Sequence, residues 1–404
     1  MSFLKLILLG GLLFFLLSCG SRNKLSVEDV MKEANISVLP TQDDFPNDGG
    51  VILYEKFNDR LYLDSDYNVR VEETVQRAIL YFNDKAENWT DHVIYLDDQS
   101  FLSNFTAYTK KPNGEIVYLS EKDLHPTHIN EDLQQVSHEK SLRFIFPAVE
   151  PGAILYYGYT IDRKGFFFGD YWFVESSLPK IYTKFVFEIP KLFFHYGYNW
   201  NYSAFNFVLD EPKTLENILT EKSEKDASLI FYWELREIPA LKREPFSPPY
   251  YDVAKYVSVD LKYKNWNELA KIYYRLIKDY FNAYKLPEVK SLSEKICQNA
   301  KSTEEKIKRI FEYAQTEFRY LAFDIGESGI IPHAFSEIVK NKYGDCKDMT
   351  VLQVNLLRAQ GIKAYPALVP TKARTLAKPS FISLKNFDHM LVYVQADSGK
   401  KYWL

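Results

Sequence analysis

The chain has 404 residues, more than a single hydrophobic core usually supports, so two domains are the natural expectation. An apolar fraction of 46% and a charged fraction of 26% are typical of a folded protein and exclude a disordered or collagen-like chain. The net charge is -4 and no block of Lys and Arg stands out, so nucleic acid is not expected as a partner.

Residues 1–19 have the pattern of a secretory signal peptide. An apolar run from Leu6 to Leu17 is short for a membrane span but suits the apolar region of a signal peptide. Leu16-Leu17-Ser18-Cys19 then resembles the lipobox of bacterial lipoproteins, in which cleavage before the Cys accompanies lipidation of its thiol. The resemblance implies a lipid anchor at Cys19 and a place in the bacterial cell envelope, facing the periplasm. An ordinary secretory signal or a membrane-anchor helix is the alternative.

The next segments differ in composition. Residues 20–50 are polar and rich in turn formers, which is typical of a tether with at most one short helix. Residues 51–238 contain short alternating runs of Val, Ile, Tyr, Phe and Thr, separated by turn signals such as Glu150-Pro151-Gly152. Several short strands at this spacing predict an all-β sandwich. Residues 239–264 begin with a Pro-rich stretch and are predicted to be a linker.

From residue 265 the pattern becomes helical. Apolar residues recur at helical spacing in a first stripe that comprises Trp266, Leu269, Ile272, Tyr273, Leu276 and Tyr280. Ser302 and Glu305 have the spacing of a capping box and predict the start of a second helix. A third helix is predicted from Cys346 to Gly361, followed by strands at residues 363–369, 389–395 and 401–404. This order predicts an α+β papain-like domain over residues 265–404.

Cys346 is the candidate nucleophile. A helix N-terminus favours the reactive thiolate, Gly344 can form the turn into the helix, and Asp345 with Asp348 predicts a carboxylate cap. His389 begins a strand, and its imidazole can take the thiol proton and later protonate the leaving group. We therefore expect Cys346 to react with iodoacetamide faster than Cys297, and His389→Ala to slow that reaction.

The other candidate ligands and thiols have simpler interpretations. Cys297 lies in a helical apolar pattern, so a buried thiol is expected there. A disulfide between Cys297 and Cys346 is the alternative, and it would inactivate the nucleophile. His125, His128 and Glu131 have no identifiable further ligand, so neither a metal nor a cofactor is predicted.

The motifs of the C-terminal region resemble the bacterial transglutaminase-like superfamily. They are Tyr343-Gly344-Asp345-Cys346-Lys347-Asp348, Leu356-Leu357-Arg358-Ala359-Gln360-Gly361-Ile362 and Phe387-Asp388-His389, with Arg319-Tyr320 and Pro332-His333 upstream. The β-rich region, including Phe146-Pro147-Ala148-Val149-Glu150-Pro151-Gly152, is similar to a domain of unknown function commonly fused to that family.

The resemblance implies a catalytic Cys346 and a catalytic His389. It also places Tyr343, Gly344, Asp345 and His333 near the cleft or the oxyanion hole, with a capping or packing role as the alternative for His333. The implied substrate is a peptide or protein.

The third catalytic residue of the family is an Asp on the strand after the His strand, typically following a Trp-Leu-like pair. This sequence ends at Tyr402-Trp403-Leu404, so we expect the chain to be truncated. If residues 397–399 form a hairpin turn, position 405 lies opposite Leu391 and diagonal to His389. Neither Asp388, which should point to the other face, nor Asn386, a loop residue, is expected to replace the Asp. Turnover of model amides by this chain is therefore expected to be near background, and extending the chain to the expected Asp is expected to raise it by orders of magnitude.

The favoured function is thioester acyl transfer from a peptide or amide, with peptidase, amidase and transglutaminase outcomes. The alternative comes from the aromatic content of 30 Tyr and 29 Phe. A catalytically inactive envelope protein could hold a peptide or glycan through its β-rich domain.

Overall fold

The structure, a computed structural model, describes residues 26–66, 68–96, 100–127, 141–164, 169–195, 199–206, 213–217, 228–321, 331–371 and 381–404. The chain divides into two compact units. Among the described residues, the N-terminal unit comprises the chain up to Pro248 and residues Val253–Lys262. The C-terminal unit comprises residues 249–252 and Tyr263–Leu404.

The N-terminal unit is built from strands. They are β1 (Gly50–Leu63), β2 (Val69–Tyr81), β3 (Asp91–Ile94), β4 (Phe101–Lys110), β5 (Ile116–Leu119), β6 (His125–Thr127), β7 (Ser141–Ile145), β8 (Ile154–Lys164), β9 (Gly169–Phe173), β10 (Lys180–Pro190), β11 (Trp200–Phe205), β12 (Lys213–Asn217), β13 (Ser228–Ile238) and β14 (Tyr256–Leu261). Short helices of this unit are α1 (Val27–Glu33) and α2 (Lys191–His195). A third, α3 (Tyr250–Val253), belongs to the C-terminal unit except for its last residue.

An eight-stranded sheet, in the order β12-β13-β10-β1-β2-β8-β4-β5, forms the centre of this unit. Successive residues of a strand point to opposite faces of a sheet. On one face, Ile79 shares a core with Phe144 of the β3-β7-β6 sheet, and a second core includes Trp172 of the β11-β14-β9 sheet. On the other face, Ala78 packs with Val30 of α1. The prediction of a β-rich region ahead of an α+β core is confirmed.

The described part of the predicted tether, residues 26–50, contains one short α-helix, as the prediction allowed, but that helix is packed into the core. Ser26 caps α1, and Val27 and Val30 are completely buried in a core that includes Leu53 and Tyr54. Residues 20–25 lie outside the described ranges. A seven-residue helix carries too few apolar residues to give a periodic signal, so its burial depends on the sheet beneath it.

The predicted linker at residues 239–264 also contains regular structure. Strand β14 pairs with β11 and β9, and Val257 and Val259 are buried in the second core. Val257, Val259 and Leu261 alternate with Ser258 and Asp260, a strand signal that the neighbouring Pro-rich stretch obscured.

A buried ionic cluster lies within the eight-stranded sheet. The Glu55 carboxylate is completely buried and accepts hydrogen bonds from Arg77, whose Nε lies 2.8 Å away, from Thr183 at 3.1 Å, and from Lys180. Burial opposes ionisation of Glu55, but Lys180 and Arg77 hold the pKa of Glu55 below its usual value. The cluster therefore depends on charge pairing.

Helices and a small sheet form the C-terminal unit. The helices are α4 (Trp266–Ile277), α5 (Pro287–Ile296), α6 (Thr303–Glu317), α7 (Phe335–Asn341) and α8 (Cys346–Ala359), and the strands are β15 (Arg319–Tyr320), β16 (Tyr343–Gly344), β17 (Lys363–Val369), β18 (His389–Gln395) and β19 (Lys401–Trp403). The three predicted helices and three predicted strands are all present. None of the helices in the described ranges is long and apolar enough to cross a membrane.

Helix α8 and the β17-β18-β19 sheet form the centre of this unit. Met390, Val392 and Val394 are buried on the face of β18 that meets α8. The predicted register of the hairpin is observed, since the backbones of Val392 and Leu404 exchange two hydrogen bonds of 3.0 Å. A residue opposite Leu391 would therefore lie next to Leu404 along β19.

Candidate active site

Cys346 is the first residue of α8, and a reciprocal carboxylate cap fixes this end of the helix. The Asp345 side chain accepts hydrogen bonds from the backbone N–H of Lys347 at 2.8 Å and of Asp348 at 3.2 Å. The Asp348 side chain accepts one from the N–H of Asp345 at 3.2 Å. The predicted cap is thus present, and it holds the backbone around the Cys346 thiol.

Gly344 is required for a reason that differs from the predicted one. A Cβ at this position would lie 2.5 Å from the Asp348 Cβ and 2.7 Å from its Oδ2. The site therefore needs a glycine because Asp348 approaches the backbone closely, and Gly344 is not among the residues with positive φ.

Burial dominates the electrostatics of Cys346. Burial raises the pKa of the Cys346 thiol, and Asp345 adds to the rise. The charge of Lys347 and hydrogen bonds from the backbone N–H groups of Met390 and Lys347 oppose it without reversing it. The N–H groups at the start of the helix lower the pKa, in the expected direction, but desolvation of the thiol in the free protein outweighs them.

His389 begins β18 next to the thiol. Its neighbour Met390 directs its backbone N–H to Cys346, and His389 pairs with Val369 of β17. The fold therefore brings the start of β18, where His389 lies, close to the Cys346 thiol. Within the described residues no hydrogen bond joins the His389 ring to the thiol. Catalytic hydrogen bonds are often long in unliganded enzymes and tighten when substrate binds.

Two tyrosines beside Cys346 were not assigned to the site from sequence. Tyr320, on β15, interacts with both the thiol and the backbone N–H of Cys346, and burial and the nearby Cys346 raise the pKa of its phenol. Burial raises the pKa of Tyr273 as well, and Cys346 contributes. The Arg319-Tyr320 pair was a signal, but β15 meets the site only because it pairs with β16 (Tyr343–Gly344). Tyr273 was predicted only as a member of the apolar stripe of the first helix, which indicates a core residue.

His333 is bound to the cap of α8. Its backbone N–H donates to Asp348 Oδ1 at 2.8 Å, and its ring Nδ1 lies 3.0 Å from Asp348 Oδ2. The hydrogen bond with Asp348 raises the pKa of the half-exposed His333 ring. The capping alternative therefore describes the observed contacts of His333. Tyr343, which is 42% exposed, lies on β16 just before the cap.

The remaining candidates are placed as follows. Asp388 accepts hydrogen bonds from the Thr371 backbone N–H at 2.7 Å and hydroxyl at 2.6 Å. Asn386 donates to the Phe381 carbonyl at 2.8 Å and lies in a short turn, as expected of a loop residue. Cys297 is 6% exposed, and both Cys297 and Cys346 are free thiols, so the disulfide alternative is not realised. Cys19 lies outside the described residues.

Metal ligands are not grouped in the part of the chain that the structure describes. No cluster of three or more His, Cys, Asp or Glu there is arranged to hold an ion. His125 lies on β6, whereas His128 and Glu131 lie outside the described ranges.

Two family models match parts of the chain. Residues 68–242 match a domain of unknown function, DUF3857, and residues 290–391 match the transglutaminase-like superfamily. No curated protein matches the chain.

One solved structure supports the same fold. A candidate protease from Parabacteroides distasonis is similar, with a TM-score of 0.70 and 18% identity, over 88% of this chain and 67% of that one. At this identity the similarity concerns the fold alone. A candidate nutrient-binding protein from Legionella pneumophila gives a TM-score of 0.23 at 11% identity, over 77% of this chain and 94% of that one. Yeast leukotriene A4 hydrolase gives a TM-score of 0.26 at 11% identity, over 74% of this chain and 42% of that one. The TM-scores of these last two structures are too low to support an argument.

Proposed function

Because the chain carries a transglutaminase-like domain preceded by a DUF3857 domain, we propose that it transfers acyl groups from peptide or protein amides through a thioester on Cys346. The observation that carries this proposal is the position of the thiol. Cys346 is the first residue of the capped helix α8. Its thiol accepts a hydrogen bond from the backbone N–H of Met390, the residue that follows His389. This position supports Cys346 as the nucleophile and His389, the first residue of the neighbouring strand, as the base.

The reaction follows from these positions. The His389 imidazole takes the proton of the Cys346 thiol, and the sulfur attacks the amide carbon to form a C–S bond. The imidazolium then gives that proton to the departing amine as the C–N bond breaks. Water or another amine attacks the thioester, passes its proton to His389, and the C–S bond breaks to return the thiol. Peptidase, amidase and transglutaminase outcomes differ only in the leaving amine and the acceptor.

The negative charge that develops on the substrate oxygen needs donors. We assign the backbone N–H of Cys346 as the first and the Tyr320 hydroxyl as the second, because the Tyr320 phenol lies against that N–H and the thiol in the free protein. A phenol with its ordinary pKa of about 10 is protonated at physiological pH, and the pKa of Tyr320 is raised further, so its hydroxyl remains a donor.

Trapping of the acyl-enzyme tests the proposal. A glutamine-containing peptide is incubated with the protein, the reaction is stopped with acid, and peptic fragments are weighed by mass spectrometry. We expect the acyl mass on the fragment that contains Cys346, its loss in Cys346→Ser, and its retention in the matched variant Cys297→Ser. An adduct that survives in Cys346→Ser, or none in the unmodified protein, contradicts thioester chemistry and favours a binding role. Addition of a primary amine separates transfer from hydrolysis.

We further propose that the protein is anchored to the bacterial cell envelope by a lipid on Cys19, facing the periplasm. The support is the sequence alone, namely the apolar run Leu6–Leu17 followed by Ser18-Cys19. Intact-mass measurement of protein extracted from membranes is expected to find a mature chain that begins at a diacylated Cys19. Cys19→Ala should prevent the lipid modification and leave the apolar segment uncleaved, so that the chain retains Met1. In the chain without this substitution, a retained Met1 segment or an unmodified Cys19 contradicts the proposal.

A further inference from the structure

The face of the β17-β18-β19 sheet that points away from α8 carries an aromatic row, made of Tyr365, Tyr393 and Trp403. These residues are cross-strand partners, one on each strand. The ring centroids of Tyr393 and Trp403 are 4.9 Å apart, and those of Tyr365 and Tyr393 are 6.4 Å apart. Trp403 is 60% exposed and Tyr365 is 45% exposed. The sheet therefore presents a continuous aromatic strip on its outer face.

The aromatic row lies on the same face as His389. Along β18, His389, Leu391 and Tyr393 alternate with Met390 and Val392, which are buried against α8. Tyr393 is four residues from His389, so the aromatic row lies about 13 Å from the imidazole along the strand. A bound chain that runs beside β18 can reach both.

A lysine row follows the aromatic row on this face. Lys363 and Lys401 are the partners of Gln395, six residues from His389 and about 20 Å away along the strand. Both lysines are exposed, and neither forms an ion pair with the described residues. The Arg358 guanidinium lies 5.8 Å from the Tyr365 ring centre and donates to the Ala364 carbonyl at 2.9 Å, which adds positive charge beside the strip.

We propose that this face binds the substrate, an extended peptide that carries an aromatic or large apolar side chain about four positions, and acidic side chains about six positions, from the reactive amide. The inference rests on the proposed function for the position of that amide at Cys346. Aromatic rings supply contact area for the apolar side chain, and the exposed lysines complement carboxylates. A neutral glycan would also stack on the rings but would gain nothing from the lysine row.

Binding to the Cys346→Ser protein tests the inference without any turnover. The probe is a fluorescein-labelled peptide with Gln, Phe about four positions away and two Glu about six positions away, made in both chain directions. Its anisotropy titration is compared with peptides in which Phe is replaced by Ser, or both Glu by Lys. We expect each change to weaken binding about tenfold for the preferred direction.

Matched protein variants locate the contact. Lys363→Glu combined with Lys401→Glu is expected to weaken binding of the acidic probe about tenfold at low salt, with a smaller effect near 1 M salt. Lys295→Glu, which changes an exposed lysine on α5, should leave affinity unchanged. Trp403→Thr, which keeps a β-favouring residue, should weaken binding of the Phe probe more than of the Ser probe.

The outcomes separate the two proposals. Loss of affinity in the double lysine variant and in Trp403→Thr supports the binding face, whether or not an acyl-enzyme is trapped. Equal affinity for all peptides, no measurable binding, or equal effects of Lys295→Glu and the double lysine variant overturns it even if Cys346 is acylated. Binding of a neutral oligosaccharide that the double lysine variant does not alter would also overturn it, in favour of a glycan surface.

Discussion

Replacing His389 with Ala is expected to slow acylation of Cys346 by about 10²–10⁴-fold, because general acid–base catalysis contributes factors of this size. The thiol in the free protein is protonated, since burial raises the pKa of Cys346. It therefore needs a base when it attacks. The backbone N–H of Met390, near the start of β18, contacts the thiol. His389 is the first residue of β18 and is therefore the candidate base.

The measurement is the single-turnover rate of acyl-enzyme formation with the glutamine-containing peptide. A suitable matched control is His125→Ala, which removes an exposed histidine of β6 in the other unit. Equal acylation rates for the unmodified protein and His389→Ala would mean that another group takes the thiol proton. A loss of the same size in His125→Ala would point to a general effect on folding.

Alkylation of the free protein provides a second readout with a defined pH dependence. Iodoacetamide reacts with the thiolate, and the raised pKa of Cys346 means that the rate should increase as the pH rises above the ordinary thiol range of about 8.5. No hydrogen bond among the described residues joins His389 to the thiol, so His389→Ala should alter alkylation much less than acylation. Cys297 should react more slowly, since it is 6% exposed and burial raises its pKa too.

Local sequence signals specified most of the C-terminal unit. Ser302 caps α6 as its spacing with Glu305 predicts, and β17 and β18 have the predicted bounds. The three-residue turn fixed the pairing of Val392 with Leu404. Each of these features depends on residues close together in sequence, where capping, periodicity and turn geometry act.

Features that depend on distant segments were not predicted. The burial of α1 requires the sheet that covers it, and Tyr320 reaches Cys346 only because β15 pairs with β16. Asp348 was predicted as a cap, but its contact with His333 joins residues from different elements. The pKa of Cys346 depends on how much protein surrounds the thiol. Neither burial nor tertiary pairing is encoded in a local pattern, which explains why motif positions were predicted more reliably than site electrostatics.

The second large effect is expected in the N-terminal unit, where Glu55→Gln should destabilise the fold by about 3–5 kcal/mol. The substitution keeps the shape of the side chain but removes the charge that faces Arg77 and Lys180. Lys180 is 3% exposed, so its ammonium would remain buried without its partner. Urea denaturation, followed by hydrogen exchange of β1, β2 and β10, measures the loss in this unit. Glu28→Gln, at the exposed pair with Lys110, should cost less than about 1 kcal/mol.

A rescue experiment separates lost charge pairing from lost packing. If the unpaired cations cause the destabilisation, Lys180→Met combined with Glu55→Gln should recover part of the loss, because an apolar side chain of similar length is cheaper to bury than an isolated ammonium. Acid should have the same effect as Glu55→Gln. The pKa of Glu55 is lower in the folded than in the unfolded chain, so its stabilisation is present above the ordinary Glu range of about 4.3 and disappears as the pH falls through the folded value. A double variant less stable than Glu55→Gln alone would instead assign the loss to packing around Glu55 and Thr183.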